Sequence, residues 1–240
     1  MKIGIIGYGK MGKTIERIAN ERGHEIVYRI NSSNPIEQVD LNQADVAIEF
    51  TRPELAVSHI DICLNAQVPV VVGTTAWQND LPQVLKAVEE KNGSLLYASN
   101  FSLGVNIFFH MNEKLAKIMS NQSEYSAEVS EIHHFQKLDA PSGTAVSIAQ
   151  GILENNSNYT SYVSELGKTP THTAHELPIT AYREPEVPGT HTVTYNSEID
   201  LISMTHIAHN RDGFALGSVV AAEFLHNKKG VFTMRDVLEF

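Results

Sequence analysis

The sequence predicts an α/β protein of two domains, a doubly wound parallel sheet first and an α+β domain with a mixed open sheet after it. Three observations carry that expectation. The first hundred residues alternate short β-branched runs with amphipathic helical stretches, the rhythm of βαβ units. A glycine-rich turn stands at the first strand–helix junction. Beyond residues 103–106 the rhythm gives way to a long helix and then to strands at hairpin spacing.

Lys2–Ile6 is apolar and β-rich, as a strand buried on both faces must be. Gly7-Tyr8-Gly9-Lys10-Met11-Gly12 follows directly, then a helix with Met11, Ile15 and Ile18 on one face, then a second strand, Glu25–Ile30. G-x-G-x-x-G in a strand–helix–strand frame is a dinucleotide fingerprint. Gly7 makes the tight turn, Gly9 lets a pyrophosphate approach the backbone, and Gly12 lets helix and strand pack closely. A Rossmann domain holding NADH or NADPH is the reading. The second strand runs out into Asn31 and Ser32, where an acidic residue for the ribose hydroxyls is usual. No carboxylate there repels a 2′-phosphate, so both cofactors stay open.

Further strands are read at 45–50, 68–72 and 94–98, with helices at 54–66 and 77–90 between them. Ligands of open parallel sheets lie beyond the strands' carboxyl ends. That makes Phe50, Thr51, Gly73, Thr74, Thr75, Ser99, Asn100 and Phe101 cofactor candidates, although Gly, Thr and Asn also suit ordinary βα loops. In the second half a helix is read at 107–119 with Phe108, Met111, Leu115 and Ile118 toward a core. A strand at 126–132, a helix at 142–153, two antiparallel strands at 190–195 and 199–208, and a small-residue helix at 214–225 follow. The last can pack back on the first sheet. Segment 183–191, punctuated by Pro and Gly, reads as a connecting loop; its Arg183 is also of the type that binds carboxylates bidentately.

The densest chemistry lies in Glu131-Ile132-His133-His134-Phe135-Gln136-Lys137-Leu138-Asp139-Ala140-Pro141-Ser142-Gly143-Thr144-Ala145. Two imidazoles and a lysine precede a helix start, where free N–H groups and the helix dipole favour an anion. This is a proton donor beside an anion cradle, fit for a carboxylate or a phosphate. Neighbouring strand residues face opposite ways, so a regular strand commits one of His133 and His134 to the chemistry.

Composition narrows the class. The 240 residues are 42% hydrophobic, enough for a sizeable core. No run approaches the ~20 apolar residues of a membrane span. The N-terminus enters a strand at once, which leaves no room for a signal peptide. Cys63 is the only cysteine and sits among apolar neighbours, which suits a buried inert thiol and a cytoplasmic protein. A net charge of −10 argues against nucleic acid and requires local cations to meet an anionic ligand. His172-x-x-His175 and His206-x-x-His209 lack the partners of a zinc site, so no metal is expected.

These segments together resemble the 4-hydroxy-tetrahydrodipicolinate reductase (dihydrodipicolinate reductase) family. The Gly7–Gly12 turn, Phe50-Thr51-Arg52-Pro53, Gly73-Thr74-Thr75, Ser99-Asn100-Phe101-Ser102 and above all the His-His-x-x-Lys-x-Asp-Ala-Pro-Ser-Gly-Thr-Ala run carry the likeness. It extends to Arg211-Asp212-Gly213-Phe214-Ala215. The resemblance implies a dinucleotide-binding domain of residues 1–101 and 211–240, and a substrate-binding and oligomerisation domain of 102–210 whose sheet extends across a homotetramer. It implies reduction of 4-hydroxy-tetrahydrodipicolinate by NADPH or NADH, with loss of water. It assigns His133 and Lys137 to catalysis, and His134, Ser142, Gly143 and Thr144 to the substrate carboxylates. Gly7, Tyr8, Gly9, Lys10, Met11, Gly12, Asn31, Ser32 and the three strand-end segments fall to the cofactor. Other small nicotinamide enzymes, such as aspartate or homoserine dehydrogenases, lack the His-His-Lys run. A non-catalytic dinucleotide sensor would leave that run without a purpose.

Overall fold

The computed structural model describes all 240 residues, Met1–Phe240. Strands and helices alternate through β1 (Lys2–Ile6), α1 (Lys10–Glu21), β2 (Glu25–Ile30), β3 (Val46–Glu49), α2 (Pro53–Asn65), β4 (Val70–Val72), α3 (Leu81–Glu90) and β5 (Ser94–Tyr97). The chain continues as α4 (Leu103–Met119), β6 (Ser126–His133), α5 (Gly143–Asn155), β7 (Ser161–Leu166), β8 (Glu176–Arg183), β9 (Gly189–Asn196) and β10 (Leu201–Ala208). It closes with α6 (Asp212–Leu225), β11 (Gly230–Phe232) and α7 (Met234–Leu238). Two compact units result, Met1–Leu103 with Asp212–Phe240, and Gly104–Arg211.

In the first unit six parallel strands lie in the order β11-β5-β4-β3-β1-β2. Alternate residues feed two cores, because successive side chains of a strand leave opposite faces. Ile6, Val70, Val72 and Leu95 pack with Ile60 and Leu64 of α2 and Val84 and Val88 of α3. Ile3, Ile5, Val71 and Leu96 pack with Ile15 and Ile18 of α1 and Val219 and Ala222 of α6. The small-residue helix α6 thus returns to the first sheet. With both faces covered, β3 and β4 are buried throughout, which is why they read as continuous apolar runs.

The second unit has a mixed sheet, β10-β9-β6-β8-β7. β6 is its pivot, antiparallel to β9 and parallel to β8. Phe108 and Ala116 of α4 and Ile148 and Ile152 of α5 pack on Val129, Ile179, Val193 and Tyr195. Two expectations change here. The buried face of α4 runs through Val105, Phe108, Asn112, Ala116 and Met119, while Met111 and Ile118 are half or more exposed. The polar Asn112 takes the core position because its amide donates to the Ile148 carbonyl at 3.0 Å; apolar periodicity cannot find such a residue. Segment 183–191 is only partly a loop, since Arg183 ends β8 and Gly189 begins β9. β7 and β8 escape pattern reading because β7 is amphiphilic at every second residue only weakly, and Pro178 interrupts the β8 signal. No helix is long and apolar enough to cross a membrane.

Candidate active site

In the first unit the predicted cofactor residues gather at the carboxyl ends of β1, β3, β4 and β5. Gly7 has φ of 100°, and a Cβ on it would lie 2.0 Å from the Phe50 carbonyl oxygen. A Cβ on Gly12 would lie 2.4 Å from the Gly7 carbonyl oxygen. Gly9 differs, since nothing stands within 4 Å of where its Cβ would be. Gly9 also begins α1 without a side-chain cap, so the first-turn N–H groups of Lys10, Met11 and Gly12 face outward as anion donors. This glycine cradle fits the pyrophosphate of a dinucleotide. Around it, the Thr51 N–H donates to Thr74 Oγ1 at 2.7 Å, the Thr51 hydroxyl donates to buried Glu49, and the Phe50 and Phe101 rings pack 5.8 Å apart. The Asn100 side chain accepts from the Ser102 N–H at 2.9 Å, while Thr75 and Ser99 are exposed.

The turn that follows β2 is polar. Asn31 Oδ1 accepts from the N–H groups of Ser33 and Asn34 at 2.8 and 3.1 Å, forming a turn with Ser32 exposed on it. Arg29 is held by Glu16, which also accepts from the Tyr8 hydroxyl. That hydrogen bond raises the Tyr8 phenol above its ordinary range, and Arg29 holds the Glu16 carboxyl below its own.

In the second unit β6 carries Glu131 and His133 on one face, two residues apart. Register places His191 of β9 opposite Glu131, and Arg183 of β8 opposite His133. Three strands therefore converge four polar side chains. Glu131 is fully buried, with Oε2 3.4 Å from His133 Nδ1 and 3.7 Å from His191 Nε2. Oε1 accepts the Ser142 N–H at 2.9 Å and lies 3.8 Å from the Arg183 guanidinium. The two imidazoles meet edge to face at 5.0 Å. Burial alone would raise the Glu131 carboxyl, but the His191 imidazole beside it, the hydrogen bond from the Ser142 N–H and the nearby His133 hold it low, as a carboxylate. Burial pushes His133 down to about 4, helped by His191, Lys137 and Arg183 against the pull of Glu131.

Beyond the strand, the Lys137 N–H closes a turn on the His134 carbonyl at 3.1 Å, and the Lys137 ammonium grips both Asp139 oxygens at 2.8 and 2.9 Å. That contact holds the Asp139 carboxyl below its ordinary range. Ser142 caps α5, its Oγ accepting the Ala145 N–H at 3.1 Å. Because the Ser142 N–H is spent on Glu131, Gly143 and Thr144 supply the open donors of this helix start. His134 leaves the strand in the other direction, its Nε2 3.4 Å from Arg211. Both line a cavity of about 520 Å³ with Phe135, Gln136, Pro188 and Asn210, within the usual range for small-ligand sites.

Sequence reading missed three of these residues. Glu131 and His191 show their place only through cross-strand register, and Arg211 only through the turn that brings it beside His134. Arg183 proves to be no free carboxylate fork. Its nitrogens donate to the carbonyls of Lys137, Tyr182 and Asp139 at 3.2, 2.7 and 2.6 Å. Glu131, His133 and His191 have donor atoms within 4.8 Å of one another, a spacing that a metal ion could use. The adjacent Arg183 cation opposes a dication there, so the trio reads as a polar network. Elsewhere, His172 and His175 turn their Nδ1 atoms to the carbonyls of Pro170 and Asn158, and His206 lies against the Phe108 ring.

Comparison with known proteins agrees across the whole chain. Residues 1–101 match the family model for the dihydrodipicolinate reductase N-terminus, and residues 104–238 match that for its C-terminus. A 4-hydroxy-tetrahydrodipicolinate reductase of Christiangramia forsetii is 50% identical over 99% of this chain and 98% of its own. One from Neisseria gonorrhoeae is 34% identical over 82% of this chain and 74% of its own. Among solved structures, dipicolinate-bound dihydrodipicolinate reductase from Paenisporosarcina sp. TG-14 superposes with a TM-score of 0.78 at 24% identity, covering 97% of each chain.

Proposed function

The chain belongs to the dihydrodipicolinate reductase family, and we propose that His133 and Lys137 manage the proton in that family's reaction while the start of α5 holds a substrate carboxylate. The chain is an NAD(P)H-dependent oxidoreductase of lysine and diaminopimelate biosynthesis, reducing 4-hydroxy-tetrahydrodipicolinate to tetrahydrodipicolinate with loss of water. The bound nicotinamide supplies the hydride. We assign its dinucleotide to the Gly7–Gly12 cradle, Asn31, Ser32 and the loops at Phe50–Thr51, 73–75 and 99–101.

The observation that carries the proton assignment is the convergence of His133, the Lys137 turn and the α5 N-terminus at one end of β6. Lys137 lies close enough to depress His133. In the free protein at neutral pH the depressed His133 imidazole is neutral. A dianionic substrate changes that. One carboxylate competes with Asp139 for the ammonium, and the other accepts from the Gly143 and Thr144 amides, with His134 and Arg211 supplying further positive field. The same two charges favour protonation of His133, which then shares in proton delivery to the reduced ring or to the departing hydroxyl. General acid help of this kind contributes about 10²–10⁴-fold.

A homotetramer is part of the proposal. Leu201, Ile202 and Ile207 stand exposed on the edge strand β10, where unpaired backbone invites a second copy. We also assign the protein to the cytoplasm. The test of the site is turnover by His133→Gln and Lys137→Met. Loss of kcat by about 10²-fold or more in both, with NADPH affinity kept, supports the assignment. Wild-type kcat in either variant removes that residue from the mechanism.

A further inference from the structure

We infer that Glu131 and Arg183 are positioning residues, a buried ion pair that fixes His133, the Lys137–Asp139 turn and the start of α5 relative to one another. The inference rests on the proposed roles of His133 and Lys137. Its two ends hold different parts of the site. Glu131 faces His133 Nδ1 and His191 Nε2 through one oxygen and takes the Ser142 N–H through the other. Arg183 takes the backbone carbonyls of Lys137 and Asp139. The contact between the two, Oε1 to Nη1 at 3.8 Å, joins the halves.

Stability alone does not account for such a pair. A buried ion pair often gives no more stability than apolar residues of the same volume, whereas removing one partner strands the other charge. What the pair does supply is geometry. A carboxylate beside Nδ1 keeps the proton on that nitrogen and leaves Nε2 as the working atom. The rest of the fold agrees with that choice. His133 Nδ1 is buried with no formed hydrogen bond, so the Glu131 carboxylate 3.4 Å away is the acceptor its proton faces, and Nε2 lies where Gly189 has no side chain; a Cβ there would come within 3.0 Å of it. The planar guanidinium, with donors fanned in one plane, spans two carbonyls two residues apart in a way an ammonium cannot.

The wild-type protein gives the first test, ¹⁵N-imidazole NMR of the enzyme at neutral pH. His133 protonated on Nδ1 is expected; protonation on Nε2 overturns the inference whatever the enzyme's activity. The second test is steady-state kinetics of Glu131→Gln and Arg183→Lys, with thermal unfolding and NADPH affinity measured alongside. Glu131→Gln is expected to lower kcat by about 10²-fold, with NADPH affinity kept and His133 spread over both tautomers. Arg183→Lys is expected to lower kcat about tenfold while His133 stays protonated on Nδ1. Folded variants with kcat within about twofold of wild type overturn the inference. Should Glu131→Gln fail to fold, the wild-type tautomer and Arg183→Lys decide. An inactive wild type instead refutes the reductase reading, and the tautomer still tests the ion pair.

Discussion

The three glycines of the first turn predict a division of labour that single substitutions can separate. Ala at Gly12 puts a methyl 2.4 Å from the Gly7 carbonyl oxygen, against a backbone atom that cannot rotate away. Overpacking of this kind costs about 1–3 kcal/mol, and replacing a helical glycine by alanine returns up to about 1 kcal/mol. The net loss is about 1–2 kcal/mol, a fall in Tm of roughly 2–8 °C for a chain of this size. Ala at Gly9 meets nothing within 4 Å, and its φ of −92° is open to any residue. Stability should fall by less than at Gly12, at most about 1 kcal/mol, because alanine caps a helix less well than glycine. The space it fills is the approach of a pyrophosphate to the α1 N–H groups. Losing one charge-assisted hydrogen bond costs about 1.5–3 kcal/mol, so NADPH should bind roughly 10- to 100-fold more weakly. Thermal unfolding and cofactor fluorescence titration read the two effects apart. A Gly9→Ala protein with wild-type NADPH affinity, or one destabilised as much as Gly12→Ala, would overturn this division between the glycines.

Other predictions concern charge and burial. Unfolded His133 titrates near 6.5 and folded His133 near 4, so the unfolded chain binds more protons between those values. Stability should then fall as pH drops from about 6.5 to about 4, and His133→Gln should flatten that slope in urea unfolding at several pH values. An unchanged slope would remove His133 as its source. Burial, with the Glu49 charge adding to it, pushes the Cys63 thiol up to about 12. It should ignore a thiol reagent in the folded protein and react on unfolding; rapid native reaction would contradict the buried placement. Arg211→Ala should raise the substrate KM by about tenfold or more with little change in NADPH affinity, while an unchanged KM would separate the His134 cavity from the substrate.

The first unit was legible because its signals are local. Strands buried on both faces spell continuous apolar runs, and the glycine turn repeats a fixed spacing around one physical need. The motif from Glu131 to Ala145 was legible for the same reason. What escaped reading was set by register. Glu131 stands in the legible run, but its role shows only when β9 places His191 opposite it, and Arg183 looks like a loop cation until β8 sets it beside His133. Asn112 turned the buried face of α4 away from Met111 and Ile118, with Phe108 and Leu115 still packed in the core, for a related cause, a polar group whose partner lies 36 residues away in sequence. Periodicity reports which residues prefer the interior; it does not report which polar side chains meet there.

The most direct test of the account is oxidation of NADPH and NADH by the wild-type protein with enzymatically generated 4-hydroxy-tetrahydrodipicolinate, with the product identified. Substrate-dependent oxidation of at least one cofactor, yielding tetrahydrodipicolinate, is the predicted result. Cofactor that binds but stays reduced in the presence of fresh substrate would contradict it.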